Sequence, residues 1–247
     1  VVAVEFFDAA GWNVSQQSES PRLAGDIAVH GGTLAAVCLY YWRDIWIMAV
    51  GMAKLLIGQW TPGARLALLV ILATLPVVGV GYLFKDAITE MLHGDVRIVA
   101  WTTIGFGVLL YIADHLAMTV RRVEHITIFQ ALMIGASQVL ALVPGTSRSG
   151  ITMTAARFFG YERPEAARFS LLLSIPTILG AGVLAGLDLQ QTGDATLQFE
   201  ALLAAVIAFV TALIAIVLMM RWLRNAGFTP FVVYRIALGI AILIWFA

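Results

Sequence analysis

Residues 125–160 read HITIFQALMIGASQVLALVPGTSRSGITMTAARFFG, an apolar stretch that a loop of proline, glycine and hydroxyl residues interrupts at residues 144–150. A helix broken there leaves backbone N–H and C=O groups without partners, and each unpaired group that faces lipid costs several kcal/mol. The loop must therefore line a cavity enclosed by protein. We predict a re-entrant hairpin over residues 125–160, in which two half-helices meet at a loop at membrane depth.

The composition of the whole chain is that of a membrane protein. Of 247 residues, 61% are hydrophobic and 12% are charged, whereas a soluble domain has about 25% charged residues. This excludes a water-soluble fold and a disordered chain. Fifteen basic residues balance fifteen acidic ones, so net charge does not attract nucleic acid. The single cysteine, Cys38, excludes a disulfide framework.

Charge-free runs predict the helices, because a membrane-crossing helix needs about 20 apolar residues. We expect an all-α polytopic integral membrane protein, a single membrane domain over residues 1–247, with about six transmembrane helices and re-entrant hairpins. The run at 27–42, with Gly31-Gly32 at its front, is a candidate for a second broken or short element. The other runs lie at 66–84, 98–113, 169–187, 201–220 and 231–247, the last interrupted by Arg235.

The charges between these runs indicate an orientation. If residues 125–160 return to their own side, one side collects ten basic residues and the other side three, with an acidic loop at 188–200. The positive-inside rule then places the richer side in the cytoplasm. The ten are Arg43, Lys54, Arg65, Arg121, Arg122, Arg157, Arg163, Arg168, Arg221 and Arg224.

Arg148 is the candidate functional residue of the hairpin. An ionised arginine at membrane depth is costly and usually marks a substrate or ion site. The alternative to a functional role is a structural one, in which Arg148 pairs with a buried acid or with helix-end carbonyls. The guanidinium, nearby hydroxyls and the N–H groups at the start of the second half-helix would together bind phosphate. The residues that would bind phosphate beside Arg148 are Gly145, Thr146, Ser149, Gly150 and Thr152.

The same stretch resembles a known family. Residues 138–150 read QVLALVPGTSRSG and residues 169–176 read FSLLLSIP, and both are similar to the bacterial undecaprenyl pyrophosphate phosphatases of the bacitracin-resistance type. The resemblance extends from Gly11-Trp12 through DIAVHGGTL at 26–34 to the C-terminus. The arginine-serine loop is specific to that family.

The resemblance implies an undecaprenyl-diphosphate phosphatase, a hydrolase that cleaves a phosphoric anhydride. Such an enzyme removes the terminal phosphate of the C55 lipid pyrophosphate, recycles the carrier for peptidoglycan synthesis and cell-wall biogenesis, and confers bacitracin resistance. The resemblance also implies a multi-pass protein of the bacterial inner membrane. Its site would be reached from the periplasmic side, and its fold would contain inverted repeats. In that enzyme Arg148 would hold the pyrophosphate and Ser147 would donate a hydrogen bond to it or act as nucleophile.

The family resemblance also implies a divalent cation, Mg²⁺ or Ca²⁺. The family carries an N-terminal motif of two glutamates, whereas Glu5 and Asp8 do not match it, so we assign no metal ligand in this chain. We expect that motif to precede Val1 in a longer protein. The expected partners are the polyprenyl pyrophosphate substrate and membrane lipids but no nucleic acid, and a homodimer is left open.

The sequence leaves two roles open for some further residues, and it also allows a rival function. His30 and Ser174 are candidates for the site, and ordinary packing roles are the alternative for both. We interpret Arg235 as a residue that snorkels from a helix end or pairs internally, without a catalytic role. The rival function is a secondary transporter or lipid flippase that uses a broken-helix anion site without hydrolysis.

Overall fold

The computed structural model describes residues 19–84, 96–117, 120–189 and 195–246, and within these ranges the chain is helical without a β strand. This confirms the all-α class. The match at Gly11-Trp12 and residues 190–194 of the expected acidic loop lie outside the described residues. The helices are α1 (Glu19–Tyr40), α2 (Trp42–Leu56), α3 (Pro62–Leu83), α4 (Val96–Leu116), α5 (Ile128–Ser137), α6 (Arg148–Phe158), α7 (Arg163–Leu189), α8 (Ala195–Leu223) and α9 (Thr229–Trp245), with short 3-10 helices at Val123–His125 and Gln138–Leu142.

Among the described residues, three helices are long and apolar enough to cross a membrane. They are α3, α4 and the Ala201–Leu223 part of α8, which correspond to the charge-free runs at 66–84, 98–113 and 201–220. The run at 169–187 lies within α7, and the last run corresponds to α9, a shorter apolar helix.

The run at 27–42, a candidate for a second broken element, contains a break near its end. Helices α1 and α2 form a pair bent by 81° with Tyr41 between them, whereas α1 continues without a break through Gly31-Gly32. A Cβ atom at Gly32 would overlap the backbone of Ala205 on α8. This glycine therefore allows two helices to pack closely, as small residues commonly do in membranes.

The chain divides into two compact units, each of which we describe by itself. The larger unit contains Ile47–Leu173 and Met220–Ala247, and the smaller contains Val2–Trp46 and Ser174–Met219. In the larger unit, α3 packs on α5, and a Cβ atom at Gly135 would overlap the backbone of Ala73. Helix α9 packs along α4 in the opposite direction, because Gly239 faces Ala100 whereas Arg235 faces Gly107.

Residues 125–160 have the geometry of a hairpin, because the chain segments at their two ends are hydrogen-bonded to each other. The N–H of Arg121 donates to the carbonyl of Gly160 at 3.0 Å, and the N–H of Glu162 donates to the carbonyl of Arg121 at 2.9 Å. The Arg65 guanidinium on α3 donates to the Glu124 carbonyl at 2.6 Å. The half-helices α5 and α6 pack on each other between these ends.

A buried ionic cluster joins α4, α6, α7 and the start of α9. The Asp114 carboxylate accepts hydrogen bonds from Arg163 Nε at 2.7 Å, from Arg157 Nε at 3.1 Å and from the N–H of Phe228 at 3.1 Å. The Arg157 side chain is 0% exposed. Arg157, which the sequence analysis counted as a loop charge, is therefore an internal ion-pair partner.

Candidate active site

The loop at residues 144–150 rests on α4 through two threonines. Thr102 Oγ1 donates to the Pro144 carbonyl at 2.6 Å, and Thr103 Oγ1 donates to the Gly145 carbonyl at 3.2 Å. Gly145 has φ of 85°, a conformation that L side chains rarely adopt, and a Cβ atom there would overlap Thr102 and the Val99 carbonyl. The loop conformation therefore requires glycine at residue 145.

Ser147 begins the second half-helix. Its Oγ accepts a hydrogen bond from the N–H of Gly150 at 3.2 Å, which makes it the N-cap of α6, and it lies 3.3 Å from Ser149 Oγ. The first N–H groups of a helix have no partner within that helix, and the helix dipole adds a partial positive charge there. The start of α6 is therefore suited to bind an anion.

The Arg148 guanidinium belongs to this helix start and is only partly exposed. In the part of the chain that the structure describes, no carboxylate or carbonyl accepts a hydrogen bond from it. The structural alternative from the sequence, a pairing with a buried acid or helix-end carbonyl, is therefore not observed. With respect to the described residues, the N–H donors of the guanidinium are all left for a ligand.

Arg235 on α9 reaches the same loop, which the sequence analysis did not predict. Its Nη2 donates to the Gly145 carbonyl at 3.0 Å, and its Nη1 lies 3.7 Å from where a Cβ atom at Gly150 would be. It pairs internally and does not snorkel. Its Nε is buried without a hydrogen-bond partner, as are Gln138 Nε2 and Thr146 Oγ1, among the described residues. The available sequence signal was a lone arginine within the last apolar run.

Thr152, another of the predicted phosphate-binding residues, makes hydrogen bonds within the protein. Its Oγ1 lies 2.6 Å from Ser170 Oγ on α7 and donates to the Arg148 carbonyl at 3.0 Å. The side chain is buried. In this conformation Thr152 ties α6 to α7, and its contact with phosphate stays a prediction.

His30 and Ser174 belong to the smaller unit, so their roles also stay predictions. His30 is exposed on α1, and its carbonyl accepts a hydrogen bond from Thr33 Oγ1 at 2.9 Å. Ser174 is buried on α7, two residues before Pro176.

The described residues do not fit a divalent cation. Within residues 19–84, 96–117, 120–189 and 195–246, no group of three His, Cys, Asp or Glu side chains could hold a metal ion. The loop at 144–150 contains no carboxylate, imidazole or thiol.

The comparison with known proteins decides the family. Residues 4–241 match the family model described as "Bacitracin resistance protein BacA". The chain belongs to this family. The loop with Arg148, the hairpin that carries it and Arg235 are thus parts of a BacA-family protein, as the resemblance of residues 138–150 predicted.

Several curated proteins are similar to this chain over most of their length. "Undecaprenyl-diphosphatase 1" of Rhodospirillum rubrum is 52% identical over 221 residues, which cover 90% of this chain and 78% of that protein. "Undecaprenyl-diphosphatase" of Roseobacter denitrificans is 46% identical, with 90% of this chain and 84% of the relative covered. The protein of the same name from Jannaschia sp. is 45% identical, with 92% and 85% covered.

Proposed function

We propose that this chain is an integral membrane phosphatase that hydrolyses undecaprenyl pyrophosphate to undecaprenyl phosphate and inorganic phosphate. The family and the names of the similar proteins support this activity. The observation that carries the proposal is the convergence of Arg235, Arg148 and the start of α6 on one loop in an apolar protein. The transporter or flippase alternative is not favoured, because these relatives are named as phosphatases.

The arrangement supplies what phosphoryl transfer needs most. Such a reaction depends on positioning and on stabilising negative charge that develops on the phosphate oxygens. The Arg148 guanidinium can bind two phosphate oxygens at once, and the first N–H groups of α6 add hydrogen-bond donors at the same helix start. Arg235, fixed by the Gly145 carbonyl, adds a second positive charge at the loop. In hydrolysis a water oxygen bonds to the terminal phosphorus as the bond from that phosphorus to the bridging oxygen breaks. The bridging oxygen stays on the lipid phosphate, and the water protons go to the phosphate products and the solvent.

Ser147 fits the role of a hydrogen-bond donor better than that of a nucleophile. Its Oγ already accepts from the N–H of Gly150, which leaves the hydroxyl hydrogen for a phosphate oxygen. A nucleophilic serine needs an adjacent general base. The side chain bonded to Ser147 is the hydroxyl of Ser149, which is not such a base.

The cellular setting of the proposal follows from the family resemblance and the charge distribution. The protein would lie in the bacterial inner membrane with its site open to the periplasmic side, where it would recycle the lipid carrier and confer bacitracin resistance. The excess of basic residues on the opposite side supports this orientation.

The divalent cation is part of the same proposal and is supported by the family resemblance, since the described residues form no site for it. We expect phosphate release to require Mg²⁺ or Ca²⁺, so EDTA should abolish it and either cation should restore it. Full activity after exhaustive chelation would contradict this expectation.

Phosphate release in detergent tests the activity itself. The protein is incubated with undecaprenyl pyrophosphate, or with farnesyl pyrophosphate as a short-chain substrate, and inorganic phosphate is measured. Hydrolysis that depends on Arg148 supports the proposal. Transfer of the lipid between the two leaflets of a proteoliposome membrane, without any phosphate release, would instead identify a flippase.

A further inference from the structure

An apolar groove lies between α4 and α9 in the larger unit. Its volume is about 200 Å³, and its walls are apolar. Val233 is 59% exposed and Tyr111 is 42% exposed, so the groove opens on the outer surface of the helix pair. The residues that line it are Val108, Tyr111, Thr229, Val232, Val233 and Ile236.

The groove begins one residue along each helix from the contact between Gly107 and Arg235. On α4, Gly107 faces the side chain of Arg235, and the next residue, Val108, lines the groove. On α9, Arg235 reaches the loop and its neighbour Ile236 lines the groove. A helix rises 1.5 Å per residue, so Gly107 and Tyr111 are about 6 Å apart along the axis of α4. The groove therefore starts within about one helical turn of the arginine.

A prenyl pyrophosphate has its apolar chain bonded directly to its charged head. When the pyrophosphate binds beside Arg235, the first carbon atoms of the chain must lie within a few ångströms of it. We infer that the groove between α4 and α9 binds the first isoprene units of the substrate. This inference rests on the proposed function, because it locates the chain of that same substrate. The rest of a C55 chain exceeds the groove and extends into lipid.

The depth of the groove agrees with this occupant. Along α4, the loop contacts Thr102 and Thr103, and the groove residues follow farther from Val96. In the proposed orientation the Val96 end of α4 is nearer the periplasm. The groove is then farther from the periplasm than the anion site and runs from Val108 to the level of Thr229, the first residue of α9, so the first isoprene units would occupy the end near Val108.

A tryptophan at the groove wall tests the inference by binding. Dissociation constants are measured for non-hydrolysable methylene-bridged analogues of farnesyl and undecaprenyl pyrophosphate, and for methylenediphosphonate, which is the head group alone. Val233→Trp should weaken binding of both prenyl analogues by at least about tenfold, because filling a chain pocket excludes the chain. It should leave the affinity for the head group unchanged. Leu238→Trp, a 40% exposed position on another face of α9, is the matched control and should change neither constant.

The outcomes separate this inference from the proposed function. Wild-type protein that binds neither the prenyl analogues nor the head group would overturn the proposed function. Wild-type binding that Val233→Trp leaves unchanged would overturn the groove inference alone.

Photocrosslinking of the unmutated protein gives an independent test should Val233→Trp fail to fold. A farnesyl pyrophosphate analogue with a diazirine on its first isoprene unit should label peptides that contain residues 108–111 and 229–236. Unlabelled undecaprenyl pyrophosphate should compete with this labelling, and phosphatidylglycerol should not. Equal competition by phosphatidylglycerol would show that the groove holds ordinary bilayer lipid, and would overturn the inference.

Discussion

At the scale of single residues, phosphate binding by the loop should require arginine, and not lysine, at residue 148. The Arg148 guanidinium has no hydrogen-bond acceptor in the described part of the chain, whereas its planar fork matches two phosphate oxygens. Lysine would keep the positive charge but not this fork. Residue 148 therefore offers a direct test of bidentate phosphate binding.

We expect Arg148→Lys to lower kcat/KM for phosphate release by about 10²-fold, the usual effect of losing a donor to developing charge. The thermal midpoint should stay close to that of the wild type, because the Arg148 side chain makes no hydrogen bond or ion pair with the described residues. Arg122→Lys is the control, since that side chain is 65% exposed. Near-normal turnover of the Arg148→Lys protein would contradict the assigned role.

Ser147→Ala causes two losses at once, and comparison with Thr127→Ala separates them. The change removes the N-cap of α6, which typically costs about 1 kcal/mol, and it removes a candidate donor to phosphate. Thr127→Ala removes a matching cap on α5, where Oγ1 accepts from the N–H of Gln130 at 3.2 Å. Both variants should lower the thermal midpoint similarly, but Ser147→Ala alone should slow phosphate release by about 10²–10³-fold. Complete loss of activity would instead favour an obligatory seryl-phosphate.

At the scale of elements, the sequence predicted the helix breaks better than the contacts between helices. Pro144-Gly145 and the charge-free runs are local signals, and the structure has its helix ends close to them. The pairing of Asp114 with Arg157 joins residues 43 positions apart, and periodicity does not reveal such a pair. The contact of Arg235 with Gly145 was missed for the same reason, because an arginine in an apolar run does not indicate which loop it faces.

The Asp114 cluster holds together the C-terminal ends of α4 and α6, and the other parts of these two helices hold the loop at 144–150. Asp114→Ala should lower the free energy of unfolding by about 3–5 kcal/mol, because it leaves Arg157 buried without its counter-charge. Glu162→Ala is the control, since its ion pair with Arg122 is exposed and such pairs contribute about 0–1 kcal/mol. Equal thermal midpoints for the two variants in detergent would show that the cluster contributes little.

At the scale of the whole molecule, the distribution of basic residues predicts which loops face outward. In a Cys38→Ala background, a cysteine at Thr192 should react with an impermeant thiol reagent added to intact cells, and one at Asn225 should not. Thr192 lies outside the described residues, whereas Asn225 is exposed between α8 and α9. The reverse labelling pattern would overturn the orientation and the periplasmic access proposed with it.

The paired ends of the hairpin have a consequence for sequence variation. The bonds between Arg121, Gly160 and Glu162 run from main chain to main chain, so they do not depend on which side chains are present. Random substitution at Arg121 should therefore preserve the junction, whereas Gly160, with φ of 83°, should accept few replacements. The loop at 144–150 is restricted by its side chains as well as by Gly145. Mutational tolerance should thus fall steeply from the junction of the hairpin to its tip.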